Sequence, residues 1–422
     1  MRSTFILLLL AGCSPALQIK KEIRKAEAAQ QDHIGFLLYD PQTQKKIIQH
    51  NDERYFTPAS NTKIFTLYAS VKLLGDSLTA LEYVQRNDST IFWGLGDPSF
   101  LNPLCHNNPR VFSFLQNVKG KLIFSAANFN TTALGNGWSW DDYNYSYSAE
   151  RTPFAVYGNL IMVKKTEKGL STEPKFFEEH LISTNGEREY EEVVRDVDDN
   201  QLVHYSGQKH IKQQEIPFHF SGDLLADLFT DTLKRQVEFV HIPFQKGARI
   251  KSIPVDSIYR VMMQDSDNMM AEQLLLQCAA VVSDTLQPEI AIRYTIKNLL
   301  PTLPDKPQWV DGSGLSRFNL FTPRSIAHVW EKLYKEVPHE RLFKILAVGG
   351  QSGTLKNYYK STPPYVFGKT GTLSNNHSLS GYLLTKKGKT LIFSWMNNNF
   401  VVPTSEVRKK MESLLAQIRD HY

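Results

Sequence analysis

Cysteine is scarce in this chain: three residues in 422, at positions 13, 105 and 278. That argues against a disulfide-built scaffold. Cys105 and Cys278 lie far apart with no motif in their spacing, so no disulfide between them is expected. The 12 histidines are scattered, without an H-E-x-x-H pair or a Cys/His cluster. No metal site and no cofactor is therefore expected. No apolar run reaches the roughly 18 residues that a membrane-spanning helix needs. The net charge is only +5, and neither a basic amphipathic run nor an RNA-binding motif accompanies it, which argues against a nucleic-acid partner. Internal repeats and low-complexity tracts are also lacking. What is present is an ordinary globular composition, 41% hydrophobic and 22% charged, in a chain long enough for two or more domains.

The most informative stretch is Thr57-Pro58-Ala59-Ser60-Asn61-Thr62-Lys63. Pro58 favours an incoming loop. From Ser60 the apolar residues Ile64, Phe65, Leu67, Tyr68, Val71, Leu73 and Leu74 follow a helical pattern with little polar face, and Gly75 is a stop signal. A buried helix starting at Ser60 is predicted, with Lys63 one turn on along the same face. A serine hydroxyl needs a base to become a nucleophile, and a desolvated lysine can serve as a neutral amine. A helix N-terminus also directs N–H groups at a nearby oxyanion. Alone, S-x-x-K is weak evidence. Ser60 as a helix cap and Lys63 as a surface residue fit equally well, and the pattern recurs at Ser206-Gly207-Gln208-Lys209. Ser266-Asp267-Asn268 lies between two helical patterns, Val255 to Met263 and Met269 to Val282. Lys369-Thr370-Gly371 ends an alternating run. S-x-x-K, S-x-N and K-T-G in this order form the signature set of class A β-lactamases and penicillin-binding proteins.

Further stretches extend the likeness: Gly96-Asp97-Pro98, Gly137-Trp138-Ser139-Trp140-Asp141-Asp142, Ser266-x-Asn268-x-x-Ala271-Glu272, Asp311-Gly312-Ser313-Gly314-Leu315-Ser316-Arg317, Gly353-Thr354-Leu355 and Lys369-Thr370-Gly371-Thr372-Leu373. With these the chain resembles class C low-molecular-mass penicillin-binding proteins, the DacB-type D-alanyl-D-alanine carboxypeptidases and endopeptidases. The resemblance is weakest between about 165 and 250. It implies a Ser60 nucleophile, Lys63 as acylation base, Ser266 as proton relay, Asn268 as a substrate and Lys63 contact, and Lys369 with Thr370 on the terminal carboxylate. Backbone N–H groups of Ser60 and Thr372 would form the oxyanion hole. It further implies a pocket for the stem peptide's diamino acid, with Asp142 and Tyr147 near its amine and Arg317 and Ser374 near its carboxylate. Asp141 is adjacent and competes with Asp142. Peptidoglycan stem peptides are the implied partners and β-lactams the covalent inhibitors. Trp138 and Trp140 read rather as packing residues.

The expected fold is α/β (α+β): a transpeptidase-like domain with an antiparallel five-stranded sheet and covering helices, split by a mostly β insert. Two N-terminal strands, His33 to Tyr39 and Lys45 to His50, and three C-terminal ones, Tyr365 to Gly371, Ser378 to Thr385 and Thr390 to Asn397, supply that sheet. The domain boundaries drawn are 13–75 plus 251–422 for the catalytic domain and 76–250 for the insert. Residues 1–12 read as an export signal, and Leu10-Ala11-Gly12-Cys13 resembles a lipobox. A lipid anchor on Cys13 would hold the enzyme at a membrane facing the periplasm, the outer membrane rather than the inner. Two rival readings stand beside this one. A β-lactamase normally has its first two motifs closer together. A non-catalytic peptidoglycan-binding or sensor lipoprotein would have no need of a nucleophile and base.

Overall fold

Strands of period two bury both faces when helices cover both sides, and the last three strands do so. On Thr390–Asn398, Leu391, Phe393 and Trp395 enter one core, and Ile392 and Met396 enter the other. The computed structural model describes residues 15–105, 109–167, 169–186, 193–206 and 212–422. Cys13 with residues 1–12, and Lys209 of the second S-x-x-K, lie outside the described residues.

The central sheet is antiparallel throughout. Its order is Ala347–Val348, Val366–Leu373, Asn376–Leu384, Thr390–Asn398, His33–Asp40, Lys45–His50. It has six strands rather than the expected five. The extra one, Ala347–Val348, is a two-residue edge pairing with Phe367 and Gly368, too short to leave a periodic signal. The terminal helices Pro15–Gln30 and Thr404–His421 cover one face, burying Ile19, Ile23, Met411, Leu414, Leu415 and Ile418. Lys63–Leu73, Asn268–Ser283 and Pro323–Glu336 cover the other. Thr322 caps the last of these by accepting from Ser325 N–H, with Pro323 at its first turn.

Between Ser77 and Pro254 the chain builds further sheets around a separate core. A five-stranded sheet runs Val237–Phe239, Lys121–Ser125, Ser89–Gly94, Ser77–Arg86, Ala248–Pro254. Two three-stranded sheets and the helices Pro109–Asn117 and Gly222–Leu233 share its core of Phe92, Phe124, Phe154 and Phe229.

Two local expectations need correction. Ser60 does not open an α-helix. It lies in a 3-10 turn, Ala59–Thr62, and the α-helix begins at Lys63. The cause is Ala59, held at φ +49° with its carbonyl accepting from Thr62 Oγ1 at 2.9 Å. The helix before Ser266 is α only over Val255–Arg260. It widens to a π turn over Val261–Asp265 and ends on Ser266 at φ +67°. A left-handed serine between two helices is a costly conformation that surrounding packing must hold.

Candidate active site

Two backbone segments converge on the turn that carries Ser60. Gly371 on the K-T-G strand packs directly against its turn. A β-carbon there would stand 2.6 Å from Pro58 O and 2.8 Å from Ser60 N. Asn61, fully buried, donates through Nδ2 to Lys369 O at 3.1 Å and ties the same strand to the turn. From the other side Gly314, at φ +84°, presses its backbone onto Ala59 O, where no side chain would fit. Ser60 is thereby fixed between the strand and the Asp311-Gly312-Ser313-Gly314 turn.

Lys63 is fully buried. Its Nζ bonds Asn268 Oδ1 at 2.6 Å, Ser313 O at 2.8 Å and Ser60 Oγ at 2.9 Å. Asn268 is oriented by its other end, Nδ2 donating to Tyr147 O at 2.8 Å, so its oxygen must face the lysine. Burial lowers the Lys63 pKa to about 8, against the opposing pull of Asp267, Asp311 and Glu272. A neutral amine has two N–H bonds and one lone pair. Asn268 Oδ1 and Ser313 O can only accept, so they take the two N–H groups and leave the lone pair to the Ser60 hydroxyl.

Ser266 pairs with the second lysine. Lys369 Nζ donates to Ser266 Oγ at 2.7 Å and to Thr370 O at 2.7 Å. Its pKa is pushed well down, first by burial and then by Lys63. Thr370 Oγ1 donates to Thr354 Oγ1 at 2.7 Å, which brings the Gly353-Thr354-Leu355 stretch to the K-T-G strand. Thr372 Oγ1 contacts His377 Nδ1 at 2.8 Å. Burial, then Arg408, lowers the His377 pKa to about 3 and keeps that ring neutral.

The glycine turn is built on Asp311. Its buried carboxylate accepts from Gly314 N, Ser316 N, Asn319 Nδ2 and Trp138 Nε1 at 2.6–2.9 Å. Burial and the charge of Glu272 raise its pKa. Trp138 is thus a polar tether to this turn rather than a simple packing residue. Trp140, also expected to pack, is 77% exposed.

Next to Asn268 lies a second group. Tyr147 OH donates to Asp142 Oδ1 at 2.9 Å, and the Tyr147 ring stacks on Tyr145 at 5.3 Å. Asp141 is engaged elsewhere, accepting from Ser139 Oγ at 2.7 Å. Burial raises the Asp142 pKa, with the Tyr147 bond and the charge of Arg317 opposing it. Arg317 donates to the Ser374 carbonyl at 3.4 Å. Asp142, Tyr147, Arg317 and Ser374 therefore gather at one side of the site. Past Ser266 and Asn268 a cavity of about 840 Å³ extends along Phe100, Leu104, Tyr157 and Met162. Cys105 and Cys278 are free thiols, Cys278 lying 3.6 Å from Ser70 Oγ. Ser206, the alternative S-x-x-K serine, is exposed and donates to Thr184 O.

Sequence reasoning missed the Ser313 carbonyl and Thr354 as members of the site, although both lie in motifs it had noted.

The sequence profile of the D-Ala-D-Ala carboxypeptidase 3 (S13) family matches residues 16–421. D-alanyl-D-alanine carboxypeptidase DacB of Haemophilus influenzae is 22% identical over 450 residues, 92% of this chain and 90% of its own. Penicillin-sensitive carboxypeptidase A of Dictyostelium discoideum is 24% identical over 432 residues, 86% of this chain and 81% of its own. Penicillin binding protein 4 (dacB) from Haemophilus influenzae superposes with a TM-score of 0.76 at 20% identity, over 92% of this chain and 97% of that one, a likeness of fold.

Proposed function

This chain belongs to the D-Ala-D-Ala carboxypeptidase 3 (S13) family, and on that premise we propose how its residues divide the work of a serine D-Ala-D-Ala carboxypeptidase. Ser60 Oγ attacks the carbonyl between the two D-alanines while its proton passes to Lys63 Nζ. The oxyanion is held by the N–H groups of Ser60 and Thr372. The C–N bond breaks, the leaving nitrogen takes a proton through Ser266, and an ester on Ser60 remains until water hydrolyses it. Lys369 and Thr370 bind the terminal carboxylate. The carrying observation is the Lys63 amine, whose two acceptor-only neighbours at 2.6 and 2.8 Å leave Ser60 the lone pair.

Asp142, Tyr147, Arg317 and Ser374 form the diamino-acid pocket in this reading. A carboxylate opposite an ammonium and a guanidinium opposite a carboxylate suit a zwitterionic side chain. The same chemistry cleaves a cross-link when the leaving amine belongs to a second stem peptide, which makes endopeptidase activity part of the proposal. We read residues 13–75 and 251–422 as the catalytic unit and 76–250 as its insert. Separate cores support this reading, as does the pairing of Ala248–Pro254 with Ser77–Arg86 at the edge of the insert's sheet. Export as a lipoprotein anchored through Cys13 is supported by the Leu10-Ala11-Gly12-Cys13 pattern, and the outer membrane is preferred to the inner because Ser14 after the cysteine is no inner-membrane retention signal. No helix among the described residues is long and apolar enough to cross a membrane.

Intact-mass spectrometry after incubation with benzylpenicillin tests the nucleophile. One adduct is expected, and it should be lost in Ser60→Ala. Equal yield in that variant would overturn the assignment. Incubation with muropeptide monomers and cross-linked dimers then separates carboxypeptidase from endopeptidase products.

A further inference from the structure

Arg151 belongs to none of the motifs, yet it is only 2% exposed and reaches the catalytic lysine through two relays. Its Nε donates to Glu272 Oε2 at 2.8 Å, and its Nη2 lies 2.6 Å from the same oxygen. The other oxygen of Glu272, a residue 1% exposed, accepts Ser313 N–H at 2.7 Å. The Ser313 carbonyl then accepts from Lys63 Nζ at 2.8 Å. The guanidinium also lies over the Trp138 ring, 5.3 Å from its centre, while the indole N–H of Trp138 bonds Asp311 at 2.9 Å. Gly135 packs against both side chains, and a β-carbon there would stand 3.0 Å from Arg151 Nη2 and collide with Trp138. Arg151 and Trp138 thus engage the two buried carboxylates that hold the glycine turn, Glu272 on the neighbouring helix and Asp311 in the turn itself.

We propose that Arg151 is a positioning residue for acylation: paired with Glu272, it anchors Ser313 by its N–H so that the carbonyl of the same residue aims the Lys63 lone pair at Ser60. This rests on Lys63 being the acylation base. The pairing has an electrostatic consequence as well. The charged groups facing Lys63 are Asp267 on the turn before the Asn268–Ser283 helix, Glu272 on that helix and Asp311 on the glycine turn, with Lys369 opposite on the strand. An unpaired Glu272 carboxylate would favour the ammonium form of Lys63. An unpaired Arg151 guanidinium would disfavour it.

The test is the rate constant for benzylpenicillin acylation as a function of pH, read as the acid limb and the alkaline plateau. Arg151→Met should move the limb to higher pH by about one pH unit, and Glu272→Gln should move it to lower pH by a similar amount. The double variant Arg151→Met/Glu272→Gln should bring it back close to the wild-type position. Arg151→Lys keeps the charge but loses the planar fork, so its limb should stay while its plateau falls about tenfold. A purely structural pair would lower the melting temperature without moving the limb in opposite directions. Unmoved limbs in both single variants, or a shift of the same sign in both, would overturn the proposal. Should neither single variant fold, Arg151→Lys decides, because an unchanged plateau overturns it. Lys63→Ala, measured alongside, keeps the two ideas apart. Wild-type acylation there would remove the base itself, whereas loss there with unmoved limbs elsewhere would remove only the role of Arg151.

Discussion

Gly371→Ala is the sharpest probe of the contact between the K-T-G strand and the Ser60 turn. The added β-carbon would stand 2.6 Å from Pro58 O, 2.8 Å from Ser60 N and 3.0 Å from Asn61 N. Comfortable non-bonded contacts are near 3.5 Å, so strand and turn must part by roughly half an ångström or more. All three neighbours are backbone atoms and cannot rotate aside. The Asn61 bond to Lys369 O and the pairing of Gly371 with Ser378 resist the separation. Two costs follow, and they can be measured apart. Overpacking should lower stability by about 1–3 kcal/mol. Displacing the Ser60 N–H from the oxyanion should slow acylation about 10²- to 10³-fold, the effect of losing one donor. Stopped-flow acylation by benzylpenicillin gives the second, and thermal unfolding of the same preparation the first. A variant that melts earlier but acylates at the wild-type rate would refute the reasoning, since the close approach would then serve packing alone.

Lys63→Ala should reduce acylation by about two to four decades, and Lys63→Arg should not restore it because a guanidinium stays protonated. In the wild type the rate should rise with pH through about 8 and fall below it, since the lowered pKa means the neutral amine is the form present above that value. A flat stopped-flow profile from pH 6 to 9 would contradict this. Asp142→Asn should cut turnover of a diaminopimelate pentapeptide by about 1.5–3 kcal/mol of transition-state binding while sparing penicillin acylation. Equal losses in both assays would make Asp142 structural. Cys13→Ser should release the protein from the membrane fraction or leave it unprocessed, and an unchanged distribution of correctly processed protein would exclude the lipid anchor.

Much of the fold was legible because it is written in local period. The strand Lys45–His50 and the apolar helical run from Ile64 to Leu73 follow from spacing that needs no knowledge of neighbours. The two-residue strand Ala347–Val348 and the π turn Val261–Asp265 did not follow, because both are shapes imposed by what packs against them. The same division runs through the site. Ser60 and Lys63 could be paired from sequence, since three residues of helical spacing bring them to one face. Their meeting with Ser266, Asn268 and Lys369 followed from motif order, although order says nothing of which lysine touches which serine.

The sequence by itself determined the residue types, their order and the family they signal, since these depend on covalent chemistry and local spacing. Only the tertiary structure decided that Lys63 is buried, that Ser313 offers it a carbonyl, and that Asp142 rather than Asp141 meets Tyr147. It alone brought Arg151 to Glu272, 121 residues away along the chain. Burial, backbone direction and long-range pairing arise only when distant segments exclude water from one another. That exclusion lowers the pKa of Lys63, the lysine bonded to Ser60.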